Sequence, residues 1–341
     1  MIIDASDTES WRRALEVFSR VDVCQSPQYH VAYSRRIAGS KPLLWRYEKA
    51  GESFCYPFLL TPVAQRTDYH DISSIYGYSG PLATTSNADF LQAAWAAFDA
   101  WTAERKVIAE FTRFSPYAGS KAFAHPDATV EANRTIAVSR LPRNEEELLQ
   151  ALGAKTRNML RRAEKSGLQA RQLAAKEWIG AFRTLYEETM QRNESPEFFL
   201  YDDAYYDTLL SLPEGEFRLF GVFHGEKLVS AAIALTAGQG ALYHLGAGLA
   251  EYAHNGAGNL CLFEMSKNLM TDGVSFLNVG GGRTTDPDDP LLRFKKSNAM
   301  ATETFYIGKR IVDAGGYRDV TRLWKAATGK DIDASKLIFY R

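Results

Sequence analysis

Four groups of residues in this sequence have types and spacings suited to chemistry. The first is a basic strip, Lys155, Arg157, Arg161, Arg162 and Lys165, interrupted by a single carboxylate, Glu164. Positions 157, 161 and 165 share one helical face, with Asn158 and Arg162 alongside. Such a strip suits gripping the phosphates of a nucleotide, of coenzyme A or of an RNA end; a solvated surface face is the alternative. The second is Gly256-Ala257-Gly258-Asn259, following a strand-like stretch. Glycines at a helix start let backbone N–H groups approach an anion, although a plain tight turn has the same pattern.

The third group is Asn278-Val279-Gly280-Gly281-Gly282-Arg283, followed by Lys295-Lys296. Three glycines at a strand end allow a ligand to lie against backbone. A lysine beyond them suits an oxyanion partner, a role in which one donor is worth about 3–4 kcal/mol. Without the glycines, the lysine pair reads as surface charge. The fourth is Tyr243-His244 on a predicted strand, where alternation turns one of the two to a cleft. A satisfied core histidine is the plainer reading of His244. His30, His70, His125, His224 and His254 show no metal-ligand spacing, and no G-x-S-x-G elbow occurs. Cys24, Cys55 and Cys261 are scattered, which suits buried thiols in a reducing compartment.

The elements that must position these residues form a repeat. In the first half, residues 43–47, 53–63 and 72–78 read as strands, 87–104 as a helix and 107–111 as a strand. In the second half, residues 217–223, 228–236 and 241–246 read as strands, 259–270 as a helix and 274–279 as a strand. Corresponding pieces lie roughly half a chain apart, as duplication of one domain would give. Between them Asn144 and three glutamates mark a helix start, and Gly153 interrupts the helix. The basic strip follows and ends at Gly167; a further helix covers 175–191, and Phe198, Phe199 and Tyr201 mark an aromatic loop. The expected fold class is α/β with a mixed sheet, the first domain at 1–145 plus 306–341 and the second at 146–305.

The 341 residues carry 40 Lys plus Arg against 41 Asp plus Glu, a net charge of −1, which argues against a protein that coats duplex DNA. The first residues lack a basic stretch leading into an apolar core, and no apolar run approaches the roughly 18 residues of a membrane span. The expectation is a soluble, cytoplasmic protein with no metal, no cofactor and no protein partner.

Antiparallel strands, helix, then strand resembles the core of the acetyltransferase (GNAT) fold, twice over. Within that class, residues 75–81 (Ile-Tyr-Gly-Tyr-Ser-Gly-Pro), the strip from Lys155 to Gly167, Tyr243-His244-Leu245-Gly246-Ala247, the Asn278 to Gly282 run and Phe294-Lys295-Lys296 resemble, in order, motifs of the FemABX aminoacyltransferases. The resemblance implies two tandem GNAT-like domains and amide-bond formation from an aminoacyl-tRNA 3′ end to a small amine acceptor. It implies catalytic roles for Lys295 and Tyr243. Donor contacts would come from Lys155, Arg157, Arg161, Arg162, Gly256, Gly258 and Asn259. Acceptor contacts would come from Tyr76, Tyr78, Arg113, Arg192, Tyr201, Asn278, Gly281 and Arg283. It also implies that the tail from about Thr302 returns to the first domain. Ala253 stands where coenzyme A-dependent relatives carry Gln or Arg, which favours the tRNA donor over acyl-CoA. An acyl-CoA-dependent N-acyltransferase acting on an amino sugar or polysaccharide precursor is the rival, and a non-catalytic binding protein of the same fold is a second one. Arg113, in Phe-Thr-Arg-Phe-Ser-Pro, resembles saccharide acyltransferases more than peptidoglycan ones.

Overall fold

The computed structural model describes residues 1–333 and 335–341, in two compact units. Unit 1 comprises Met1–Asn133 with Phe305–Arg341, and unit 2 comprises Arg134–Thr304.

Unit 1 begins with β1 (Ile2–Asp4), α1 (Thr8–Leu15) and α2 (Pro27–Ser34). A meander of β2 (Lys41–Lys49), β3 (Glu52–Val63) and β4 (Arg66–Ser73) follows, with β5 (Leu82–Ala83) paired to β3. Next come α3 (Ala88–Glu104), capped by the Asn87 side chain, and β6 (Val107–Arg113). The sheet order is β1-β2-β3-β4-β6, parallel only between β4 and β6. The core under α3 is aromatic: Trp45, Phe54, Tyr56, Phe58, Trp95, Phe98 and Trp101. Across it runs a polar chain in which the Tyr56 hydroxyl donates to Glu110 at 2.9 Å. The strand expected over residues 72–78 lies earlier, at Arg66–Ser73, because Gly77 and Gly80 adopt positive φ and leave the ladder after Ser73. Only Ser79 rejoins it, in an isolated parallel bridge to Phe114.

The strand β7 (Thr129–Arg140) carries the chain across the unit boundary. Unit 2 continues with α4 (Glu145–Ala151), α5 (Ala154–Lys165), β8 (Leu168–Leu173), α6 (Ala175–Arg192) and α7 (Asp203–Leu210). Its meander is β9 (Phe217–His224), β10 (Lys227–Ala237) and β11 (Gly240–Gly248), then α8 (Ala257–Thr271), β12 (Phe276–Gly280) and α9 (Pro290–Ser297). The order is β7-β12-β11-β10-β9-β8, again with one parallel pair, β11 with β12. The succession β1-α1-α2-β2-β3-β4-α3-β6 is therefore repeated as β8-α6-α7-β9-β10-β11-α8-β12. The chain ends with β13 (Ala301–Ile311), whose last residues pair with β6 from Ile307↔Arg113 to Ile311↔Ala109, and α10 (Ala314–Thr328). In β13, Arg310 reaches Glu110 and Asp99 and so neutralises the buried Glu110 carboxylate.

Candidate functional site

The site grows from a break in the sheet of unit 2. Strands β11 and β12 are paired only at Gly240↔Phe276, Ala241↔Leu277 and Leu242↔Asn278, and then diverge. A bulge between Ile233 and Ala234 of β10 inserts His244 into β11 at the same level. A second bulge, between Asn278 and Gly280, loosens β12 from β7. In unit 1 the corresponding strands β4 and β6 stay paired through Ser73↔Phe111, and Ser74 N–H then donates to the Phe111 carbonyl at 2.8 Å.

Alternation assigns the residues around the opening to two faces. Ala241, Tyr243, Leu277 and Val279 pack with α8 in one core. Leu242, His244 and Asn278 lie on the other face. On the α8 side, the ammonium of Lys295 sits 5.5 Å from the centroid of the Tyr243 ring. Burial lowers the Lys295 pKa to about 8, partly opposed by the Asp289 carboxylate. At neutral pH the amine is charged, incompletely hydrated and held over a π face, which is the state an oxyanion partner needs. Burial pushes the Tyr243 phenol up, so it stays neutral. A Cβ on Gly246 would overlap the Tyr243 hydroxyl, and only glycine leaves the ring its place.

On the opposite face, the Tyr205 hydroxyl and His244 Nε2 are 2.7 Å apart, and burial lowers the imidazole pKa to about 3. His244 is thus a neutral, hydrogen-bonded group at the mouth. Asn278 is 2% exposed.

The glycine run is organised by Asp289. Its carboxylate accepts from Arg283 and Thr284 N–H at 3.1 Å each and from Leu292 N–H at 3.0 Å, capping α9 and fixing the loop that precedes Lys295. The Asp289-Pro290 pair is a helix-start signal that the motif reading passed over.

Several predicted contact residues have structural duties. The Arg157 guanidinium caps the end of α4, donating to the carbonyls of Leu149, Gln150 and Leu152. Arg162 donates to the His254 carbonyl at 3.0 Å, and Arg161 to Asn158 at 2.9 Å. Gly256, at φ 83°, lies so close to α5 that a Cβ would stand 2.5 Å from the Met159 carbonyl oxygen. Gly258 faces the Phe294 ring, and Asn259 is buried with its amide bonded to Asn298 at 2.9 Å. The glycine turn thus serves the packing of α5 over the start of α8. Lys155 and Lys165 lie on α5 with the strip.

The predicted acceptor residues divide between the units. In unit 1, Arg113 lies over the Tyr76 ring at 5.3 Å, and Tyr78 packs edge-on against Phe305. In unit 2, Arg192 donates to the Gly248 carbonyl at 2.9 Å, and Tyr201 stacks on Tyr205 with centroids 4.1 Å apart. Arg283 reaches the Asn193 carbonyl, and Gly281 lies against Arg134 and Thr135. Among the described residues no group of three or more His, Cys, Asp and Glu is arranged to hold a metal ion. No helix among them is long and apolar enough to cross a membrane.

Residues 154–296 match the acetyltransferase (GNAT) domain family, so unit 2 is an acyltransferase domain. No curated protein matches the sequence. Among solved structures, FemX superposes with a TM-score of 0.68 at 16% identity, over 93% of this chain and 98% of that one. The C-terminal domain of a putative lysylphosphatidylglycerol synthetase from Agrobacterium fabrum follows at 0.58 and 13% identity, covering 95% and 96%. L-PGS from Bacillus licheniformis gives 0.59 at 12% identity, covering 95% and 98%. The architecture is therefore the tandem GNAT fold of FemX.

Proposed function

We propose that this acyltransferase moves an aminoacyl group from an aminoacyl-tRNA to the amine of a small acceptor, forming an amide in the cytoplasm. The observation that carries the reading is Lys295, charged and half-buried over Tyr243 beside the β11–β12 opening. In the proposed reaction the acceptor nitrogen attacks the ester carbonyl carbon, and a C–N bond forms. Negative charge develops on the carbonyl oxygen opposite the Lys295 ammonium. Collapse breaks the C–O bond to the terminal ribose, and the proton lost by the amine ends on that leaving oxygen. The ester is already activated, so the protein supplies orientation and charge rather than a covalent intermediate.

The packing of α5 supports the tRNA donor. Backbone of α5 leans on Gly256, the turn against which acyl-CoA enzymes of this fold lay a pyrophosphate. The cations Lys155, Arg161 and Lys165 on that helix offer a phosphate-binding surface instead. A peptidoglycan precursor, a saccharide or a secondary metabolite would supply the amine. The acyl-CoA reading rests on the GNAT domain match and shares the acceptor chemistry. Incubation with charged tRNA or acetyl-CoA, followed by mass spectrometry of amine acceptors, tests the two. Transfer from charged tRNA that Lys295→Met lowers about 100- to 1,000-fold is the expected result; transfer from acetyl-CoA alone refutes the donor assignment.

A further inference from the structure

Asn278 is the only side chain among the described residues with two buried polar atoms lacking a hydrogen-bond partner, Oδ1 and Nδ2. The other buried carboxamides of unit 2 are satisfied: Asn259 and Asn298 bond to each other at 2.9 Å, and Asn298 also donates to the Phe294 carbonyl at 2.8 Å. A buried carboxamide that makes neither of its bonds penalises the empty fold, and native proteins rarely keep one without a use. Its place suggests the use. Leu242↔Asn278 is the last pair before β11 and β12 part, and β12 bulges away from β7 at the same residue.

We propose that Asn278, expected from the sequence resemblance to meet the acceptor, is instead a contact of the donor's aminoacyl group, its carboxamide receiving a group that presents a hydrogen-bond donor and an acceptor side by side. A carboxylate would leave Oδ1 unpaired, and a simple ammonium would leave Nδ2 unpaired. An aminoacyl group with a free α-amino nitrogen next to its carbonyl meets both, and this identification rests on the donor reading above. Asn278 then distinguishes an aminoacyl group from a plain acyl group.

The test uses full-length protein and two probes, 3′-aminoacylamido-3′-deoxyadenosine, a stable mimic of the charged tRNA end, and acetyl-CoA. The adenosine probe is used with and without its α-amino group. Asn278→Leu is nearly isosteric and removes both unmet atoms, so the unliganded variant should melt higher than wild type, by about 2–6 °C. It should also bind the amino form roughly 10- to 100-fold more weakly and lose the preference for that form. If wild type takes acetyl-CoA instead and Asn278→Leu weakens it, the donor reading falls and the ligand contact stands. Wild-type affinity in the variant for whichever probe binds, or a lower melting temperature, overturns the inference. Binding of neither probe overturns both. If the variant does not fold, the side-chain amide resonances of Asn278 in labelled wild-type protein decide. They should shift on titration with the probe, and a bound probe that leaves them unmoved refutes the contact.

Discussion

Lys295→Met separates the oxyanion role from a structural one, because it deletes the charge and leaves an apolar stem of similar length. A lysine held at about 8 rather than 10.5 has its charged form disfavoured in the folded state. Fully converted, that difference is about 3 kcal/mol, and partial access to water reduces it to about 1–2 kcal/mol. The folded pKa is the lower one, so the penalty is fully present below about pH 8 and fades as pH rises toward 10.5. The variant should therefore be the more stable protein at pH 7, by about 1–2 kcal/mol or roughly 2–6 °C in melting temperature. Wild type should close that gap between pH 8 and 10.5. Aminoacyl transfer should fall about 100- to 1,000-fold in the variant. In wild type, transfer should decline as the ammonium is lost above about pH 8. Thermal unfolding across pH, together with single-turnover transfer, provides the readout. A variant less stable at pH 7, or a stability gap that does not change with pH, would refute the desolvation argument. Retained transfer would refute the oxyanion role.

Asp289→Asn should shift the alkaline limb of the rate profile below about pH 8, since the Asp289 carboxylate supports the Lys295 charge; an unmoved limb contradicts this coupling. Gly246→Ala should cost about 1–3 kcal/mol by displacing the Tyr243 ring. Combined with Tyr243→Ala it should cost less than the sum of the two changes, as denaturant titrations would reveal. Arg310→Met leaves Glu110 charged in the core of unit 1 and should cost about 3–5 kcal/mol, with recovery when Glu110→Gln is added. Arg161→Ala with Lys165→Ala should weaken charged-tRNA binding and flatten its salt dependence by about one contact per phosphate grip lost, measured by titration at several salt concentrations.

The repeat was legible because its punctuation is local. Turns at Lys49-Ala50-Gly51-Glu52 and His224-Gly225-Glu226-Lys227 bracket strands whose alternation is visible in a short window. The extent of β4 was not, because Ile75, Tyr76 and Tyr78 have strand propensity while Gly77 and Gly80 hold the backbone away from a ladder. At the candidate site, sequence pointed to Lys295, Tyr243 and Asn278 by residue type and nearby glycines. It could not show that Arg157 spends its guanidinium on α4, or that Gly256 makes room for Met159. Those duties depend on which helix packs against which turn. His244 illustrates the same limit: its bond to Tyr205 spans 39 positions in the chain, and no local pattern signals it.

Because Phe305–Arg341 belongs to unit 1, the two units differ in when they can be completed during synthesis. Unit 2 is contiguous and can fold as soon as residue 304 has left the ribosome. Unit 1 must wait with β6 lacking its partner strand β13. At about 5–20 residues per second, the chain from 133 to 305 takes roughly 10–30 s to emerge. Through that interval a strand edge with unpaired N–H and C=O groups is available to other chains. Unit 1 is accordingly the aggregation-exposed half of the nascent protein. An isolated fragment of residues 134–304 should be the more readily expressed of the two halves, and slowing translation late in the message should lower the soluble yield of the whole chain.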